Sequence, residues 1–194
     1  MGHTGGRRSV RETEGNVSDI LKNLTHEYRR HKDLADRAMA PLGDDEYFRR
    51  PAEHVNPVAV IVKHLAGNLL SRWTDFLTSD GDKPWRNRDS EFVIGPEDTR
   101  EHLIAAWEAG WAAVFQALAA LQEADLLKRI TIRGEEHTVL QAIHRSLTHT
   151  AYHVGQIVYL SHLMKTDGWQ WITIPPGQSE QARARGGGYL RPSS

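Results

Sequence analysis

The sequence predicts an all-α protein, an antiparallel four-helix bundle with a long loop between its second and third helices. Four segments repeat apolar residues at the three-to-four-residue spacing of amphipathic helices. Strand-like alternation is brief: residues 130–135 alternate and end in a glycine turn, which predicts a short extended segment before the fourth helix. Long helices with little strand signal are typical of a helix bundle.

Length and composition limit the domain and its chemistry. A chain of 194 residues predicts a single domain, assigned to residues 17–174, that can bury a core without disulfides. Residues 1–16 are polar and glycine-rich, which predicts a mobile N-terminal tail, and residues 175–194 predict a flexible C-terminal tail. The chain has no cysteine, which excludes disulfides, thiolate metal ligands and cysteine nucleophiles.

Charge and hydropathy indicate where the protein acts. The formal net charge is -1 with neutral histidines, so no global charge attracts nucleic acid or anionic lipid. The longest apolar runs, such as residues 58–62, are too short to span a bilayer, and the N-terminus lacks the apolar segment of a secretory signal. These features predict a cytoplasmic protein with no nucleic-acid or membrane partner.

The first two predicted helices are bounded by clear signals. Ser18 is a suitable N-cap for the first, and residues 41–43 end it with a proline and a glycine. After a charged connection over residues 43–55, Asn56 and Pro57 form an N-cap and first helical position for the second. The apolar stripes of the two helices are Ile20, Leu21, Leu24, Tyr28, Leu34, Ala35, Ala38 and Met39, then Val58, Ile61, Val62, Leu65, Leu69, Trp73 and Phe76.

Residues 78–96 break the helical pattern and predict a long loop, a kind of segment that is often functional or mobile. Within it, Trp85 and Arg86 can line a substrate entrance or be solvated. The third helix is predicted to open at Gly95 with acidic residues in its first turn. The fourth is predicted to start at residues 136–138 and to run to about Lys165.

Histidines on the fourth helix form the main candidate site. His149 and His153 are four residues apart, so a helix places both imidazoles on one face, and apolar residues flank them there. Two neutral imidazoles at this spacing can hold one transition-metal ion. His64, in the middle of the second helix, is the preferred third ligand, and His31 on the first helix is the alternative. The competing interpretation is that each is a surface or hydrogen-bonded core histidine.

Two segments resemble the DinB-like (DinB/YfiT) superfamily of four-helix bundles: residues 64–68, with the sequence HLAGN, and residues 149–157, with the sequence HTAYHVGQI. The resemblance implies that the family's three metal-binding histidines correspond to His64, His149 and His153. This chain departs from the common family form at Val154, where an arginine is usual. Members with known activities are metal-dependent thiol transferases or isomerases, which implies a similar reaction here.

Three functions follow as expectations. The first is a metal-dependent transferase or hydrolase, in which a bound Zn, Ni, Fe or Mn ion activates water or a low-molecular-weight thiol for attack on an electrophile. The thiol would come from a cosubstrate, because the chain has no cysteine. The others are a non-catalytic stress-related bundle and a protein that binds a small ligand between helices. A homodimer is also expected. Residues expected to support the metal or the substrate are Asn68, Tyr152, Gln156 and His31.

Overall fold

A computed structural model describes residues 18–165 and 167–185 of the chain. Its four long helices are α1 (Ser18–Met39), α3 (Val58–Trp73), α4 (Arg100–Ala120) and α5 (Val139–Met164). Short helices α2 (Asp44–Phe48) and α6 (Ser179–Ala184) lie outside this set, and single 3₁₀ turns span Asp89–Phe92 and Glu123–Asp125. Strands β1 (Arg129–Ile132) and β2 (Glu135–Thr138) form an antiparallel hairpin.

The long helices close into a four-helix bundle. Helix α3 packs on α4 and α5, and α1 packs on the same two helices from the opposite side. The four apolar stripes therefore meet in one core, which confirms the predicted all-α class. The hairpin adds a small sheet at the start of α5.

Aromatic side chains fill the centre of the bundle and connect its helices. Tyr28, Trp73 and Trp111 are fully buried, and the Tyr28 ring meets the two indoles edge-on at 5.4 and 6.3 Å. The Trp73 indole N–H donates to the hydroxyl of Ser146, and the Tyr28 hydroxyl donates to the carbonyl of Ile143, both at 3.0 Å. Because these contacts join α1, α3, α4 and α5, the aromatic cluster fixes how α3 and α5 face each other.

Helix α4 makes a close approach to α3 at Gly110. A Cβ atom on Gly110 would lie 2.9 Å from the carbonyl oxygen of Ala66 and 3.3 Å from the Cβ of Leu69.

Among the described residues, α4 is the one helix long and apolar enough to cross a membrane by length and composition alone. Trp107 and Trp111, both fully buried, place one face of α4 in the bundle core.

The long loop between α3 and α4 is tied to the hairpin. Arg133 and Gly134 both have positive φ angles, of 57° and 74°, as a tight two-residue hairpin turn requires. The Asp80 carboxylate accepts hydrogen bonds from the backbone N–H groups of both residues at 2.8 Å, and from that of Asp82 at 2.7 Å. The N–H of Gly81 donates to the carbonyl of Thr131 at 2.9 Å. These bonds hold the loop in a defined position beside α3 and α5.

Several predicted boundaries were wrong. Helix α4 starts at Arg100, capped by Thr99, so Glu97 and Asp98 precede the helix and do not lie in its first turn. Asp98 instead accepts hydrogen bonds from Lys63 and from the backbone N–H of Gly95. Helix α3 ends at Trp73, and Phe76 reaches the core from the loop by stacking on that indole at 4.6 Å.

The segments outside the bundle also differ from expectation. The predicted extended segment is a complete hairpin, because residues 135–138 pair with residues 129–132. The charged connection contains α2, and the predicted C-terminal tail contains α6. The predicted tail over residues 1–16 and the last residues, 186–194, lie outside the described part of the chain.

Replacing Gly110 with alanine is expected to destabilise the bundle by about 1–3 kcal/mol, because the new methyl group overpacks the α3–α4 contact. Gly155 is the matched control: it lies inside α5, and a Cβ there meets no atom within 4 Å. Gly155→Ala is expected to raise stability by about 0.5–1 kcal/mol through helix propensity alone. Chemical denaturation measures the change in stability caused by each substitution. Equal changes in Gly110→Ala and Gly155→Ala would contradict the close packing of α3 and α4 at Gly110.

Asp80→Asn is expected to lower stability at neutral pH by about 1–2 kcal/mol, since a carboxylate that accepts backbone N–H groups is replaced by an amide. Burial alone would raise the pKa of Asp80, but the hydrogen bonds from Gly134, Asp82 and Arg133 more than offset it and hold that pKa below its ordinary value. The extra stability of the wild type over Asp80→Asn is therefore fully present above the ordinary aspartate pKa and decreases as the pH falls below that value.

Urea unfolding of the wild type and Asp80→Asn at neutral and at acid pH measures this difference. Asp89→Asn serves as the control, since the side chain of Asp89 is 96% exposed. A wild-type advantage that stays constant from neutral to acid pH would refute the assigned role of Asp80.

Candidate metal centre

Three histidine rings converge between α3 and α5. His149 and His153 lie on one face of α5, half-buried, and His64 faces them from the middle of α3 with only 4% of its surface exposed. The Nε2 atom of His149 is 3.1 Å from that of His153 and 3.4 Å from that of His64. One ligand atom from each ring lies within 4.8 Å of the others. The structure therefore brings together the three rings that the sequence singled out.

The hydrogen bonds of the outer ring nitrogens select a tautomer. The Nδ1 of His64 lies 2.8 Å from Oε2 of Glu91, and the Nδ1 of His153 lies 2.8 Å from Oε1 of Gln156. Both oxygens are acceptors, so each Nδ1 carries the hydrogen and donates it. Each Nε2 is then left with a free lone pair directed at the shared centre. This is how protein metal sites orient their histidine ligands.

The donor set fits a divalent transition metal. The Nε2 atoms of His149 and His153 lie 3.1 Å apart, so either a hydrogen on one of them or a cation between them must separate their lone pairs. Nitrogens bound to one zinc ion at about 2.0–2.1 Å and a tetrahedral angle would lie about 3.3–3.4 Å apart, close to the observed spacing. Three imidazoles and no thiolate suit Zn, Ni, Fe or Mn. His64, His149 and His153 would hold such an ion and leave at least one position for a further ligand.

The electrostatics favour the neutral form of the two rings on α5, which is the form that ligation requires. Burial lowers the pKa of His149 to about 3, and the neighbouring His153 and His64 rings add to the effect. Burial also lowers the pKa of His153, partly opposed by its hydrogen bond to Gln156. Burial alone would raise the pKa of Glu91, but hydrogen bonds from His64 and Arg86 hold it below its ordinary value and keep the carboxylate ionised.

Glu91 was missed by sequence reasoning. It lies in the 3₁₀ turn Asp89–Phe92 of the long loop, and Arg86 holds its carboxylate with two hydrogen bonds of 2.7 and 2.9 Å. Arg86, expected at a substrate entrance or in solvent, has a buried side chain that anchors Glu91 and also lines a cavity beside His64 and His149. Gly67 gives the carboxylate its space: a Cβ there would lie 3.1 Å from the Glu91 Cδ and closer still to Oε1. A glycine in the middle of an apolar helix was the available signal.

The other predicted residues have separate positions. Gln156 holds the ring of His153, whereas Tyr152 is exposed with its ring 5.1 Å from the same imidazole. Asn68 is buried one turn beyond His64. His31 does not join the centre: it lies on α1, and its Nδ1 is 2.7 Å from the carbonyl oxygen of Glu27. The alternative in which His31 supplies the third ring is therefore corrected in favour of His64.

Two cavities meet at the triad. The larger, of about 590 Å³, is lined by His153 and by apolar and aromatic side chains that include Ile61, Phe92, Tyr159 and Leu160. The smaller, of about 230 Å³, lies on the other side and is lined mainly by arginines. His64 and His149 belong to both linings. A molecule in either cavity would therefore contact the histidines.

Comparison with known proteins agrees with this fold. A crystal structure of a DinB-like protein, YjoA from Bacillus subtilis, is similar with a TM-score of 0.52 at 18% sequence identity, covering 79% of this chain and 96% of that one. At this identity the likeness defines the fold, a DinB-like helical bundle. A search of curated sequences finds no match. A family model described as a protein of unknown function (DUF1572) matches residues 16–178, and the chain belongs to this DinB-like family.

Glu91→Gln is expected to weaken divalent-metal binding about 10- to 100-fold, because a neutral amide orients and polarises His64 less strongly than a carboxylate. Gly67→Ala is expected to act in the same direction by displacing the intact Glu91 side chain. Asp89→Asn, an equal change of charge in the same turn, is the matched control. Competition with a coloured chelator measures the metal affinity of the wild type and of the three variants. A wild-type affinity in Glu91→Gln would contradict the assigned role of Glu91.

Proposed function

We propose that the protein is a metal-dependent transferase in which the three-histidine centre activates a low-molecular-weight thiol or a water molecule. The observation that carries this proposal is the convergence of three Nε2 atoms beside a cavity of about 590 Å³. A structural metal site is closed by its protein ligands and needs no adjacent cavity, whereas a catalytic site needs room for a substrate.

The metal and the protein would divide the chemistry between them. A divalent ion at the triad would lower the pKa of a thiol or water ligand and so supply a nucleophile near neutral pH. The chain itself holds the rings in place: Glu91 fixes His64, and Gln156 fixes His153. The thiol is proposed to be a cosubstrate, because the sequence contains no cysteine.

The larger cavity is the proposed site of the electrophile. Phe92 lies against the His64 ring at a centroid distance of 4.9 Å and forms part of the cavity wall beside the triad. Ile61 and Leu160 extend the apolar wall, while Tyr152 and Tyr159 lie at its exposed side. Such a wall excludes water from the reacting groups and suits a substrate with an apolar part.

A ligand-binding protein without catalysis is the second candidate. A cavity of about 530 Å³ lies away from the triad, between the N-terminal part of α1 and the C-terminal end of α4. Leu21, Leu118 and Leu121 share its lining with Lys22, His26 and Arg29. Both cavities have mixed linings, but the one beside the triad is larger and adjoins the three rings, so we favour the enzyme. The homodimer and the cytoplasmic location remain predictions.

His153→Ala is expected to abolish stoichiometric metal binding and to lower any thiol-transfer rate at least about 100-fold, because removing one of three ligands leaves an incomplete site. His144→Ala is the matched control, since His144 lies on the same helix and is exposed. Metal analysis of the untagged proteins measures metal binding in the wild type and the two variants. A screen of small thiols against aryl halides and epoxides then measures their thiol-transfer rates. Untagged protein that binds no divalent metal would overturn the proposal.

A further inference from the structure

The smaller cavity beside the triad is lined by five arginines. Its lining is Arg72, Arg86, Arg88, Arg133 and Arg145, together with Asn68, Ser146, His64 and His149. No carboxylate is part of this lining among the residues that the structure describes. The volume of about 230 Å³ would hold roughly seven or eight molecules of liquid water. The chemistry of the wall is therefore that of an anion site with room for a small polyatomic group.

The side chains of Arg72 and Arg86 are the buried ones in this group; Arg86 is bound by Glu91, which leaves Arg72 as the buried member without a carboxylate. It is on α3, is 8% exposed, and its Nη1 atom has no hydrogen-bond partner among the described residues. Its side chain packs over Gly81, where a Cβ would lie 3.0 Å from both Cδ and Nη1. Burial lowers the pKa of Arg72 to about 10, and the charges of Arg145 and Arg86 add to the effect. The guanidinium is still charged at neutral pH, in a place where an unpaired charge is costly.

The acidic groups near the cavity are committed to other arginines. Glu91 accepts two hydrogen bonds from Arg86, and Asp82 lies 3.0 Å from the Nε of Arg133. Glu135 lies 3.4 Å from Arg145, with both side chains largely exposed, and Asp89 lies 3.8 Å from Arg88. Of the five guanidinium groups, that of Arg72 has no carboxylate within 4 Å in the described part of the chain. The positive charge of the cavity is thus incompletely balanced, most of all at its buried end.

We propose that this arginine pocket binds the oxyanion group of a small molecule, a carboxylate or a phosphate. Guanidinium groups bind both through paired N–H donors, and the partial exclusion of water strengthens each contact. His64, His149 and Arg88 line both this pocket and the larger cavity, so the anion would sit next to the triad. That this anion belongs to the thiol or electrophile rests on the proposed function, whereas the anion site itself does not.

Titration calorimetry of the full chain with inorganic phosphate and with malonate, at low ionic strength and neutral pH, tests the pocket. Saturable binding of at least one anion is expected, and the preferred one identifies the phosphate or the carboxylate class. Arg72→Met keeps an unbranched apolar stem without the charge and is expected to weaken binding about tenfold or more, as loss of a charge-assisted bidentate contact should. Arg145→Gln removes a charge at the exposed end and should weaken binding by about threefold or more.

Two controls define the outcome. Arg37→Gln removes one positive charge from the C-terminal end of α1 and should leave binding within about twofold of wild type. His153→Ala should lose metal-dependent activity yet keep anion binding, so that failure of the anion pocket and failure of the enzyme proposal are told apart. Absence of saturable binding, or binding unchanged by Arg145→Gln and by a folded Arg72→Met, would overturn the inference. If Arg72→Met does not fold, Arg145→Gln decides alone.

Discussion

A buried chain of hydrogen bonds, Arg86 to Glu91 to His64, is the interaction on which the rest of the centre depends. Arg86 holds the Glu91 carboxylate through two donors, and the carboxylate in turn fixes the His64 ring by accepting from Nδ1. Without this chain the His64 imidazole would be free to rotate or to change tautomer, and its Nε2 would no longer face α5. The loop that carries Arg86 and Glu91 is held by Asp80, whose carboxylate caps the hairpin turn. A distant turn therefore supports the orientation of a histidine in the bundle.

The sequence predicted the helical parts of this arrangement because helices encode their inward face in a simple period. The spacing of His149 and His153 and the apolar neighbours of His64 placed three rings on faces that had to meet once α3 packed on α5. The core position of Trp73 and the glycine turn at Gly134 followed from the same kind of local pattern, whereas the pairing of the two strands did not. These parts depend on residues within a few turns of each other.

The long loop could not be predicted in the same way. Glu91 is 27 positions from its partner His64, and nothing in the local pattern of residues 78–96 indicates which of several acids turns inward. The selection is made by tertiary contacts: Gly67 leaves space on α3, and Arg86 supplies the opposite charge. The start of α4 was mispredicted for a related reason. Asp98 accepts a hydrogen bond from Lys63 on α3, and Thr99 is the residue that caps the helix. The arginine pocket could not be predicted either, because its five arginines come from distant parts of the sequence and only the fold brings them, with the unpartnered Nη1 of Arg72, around one cavity.

The most direct test of the central claim is an anomalous-scattering map from crystals of untagged protein grown with the metal it carries when purified. The account predicts one strong peak between α3 and α5, at about 2.0–2.2 Å from the Nε2 atoms of His64, His149 and His153, with the Nδ1 of His64 still bonded to Glu91. A peak elsewhere, or a His64 ring turned away from the two rings of α5, would contradict it.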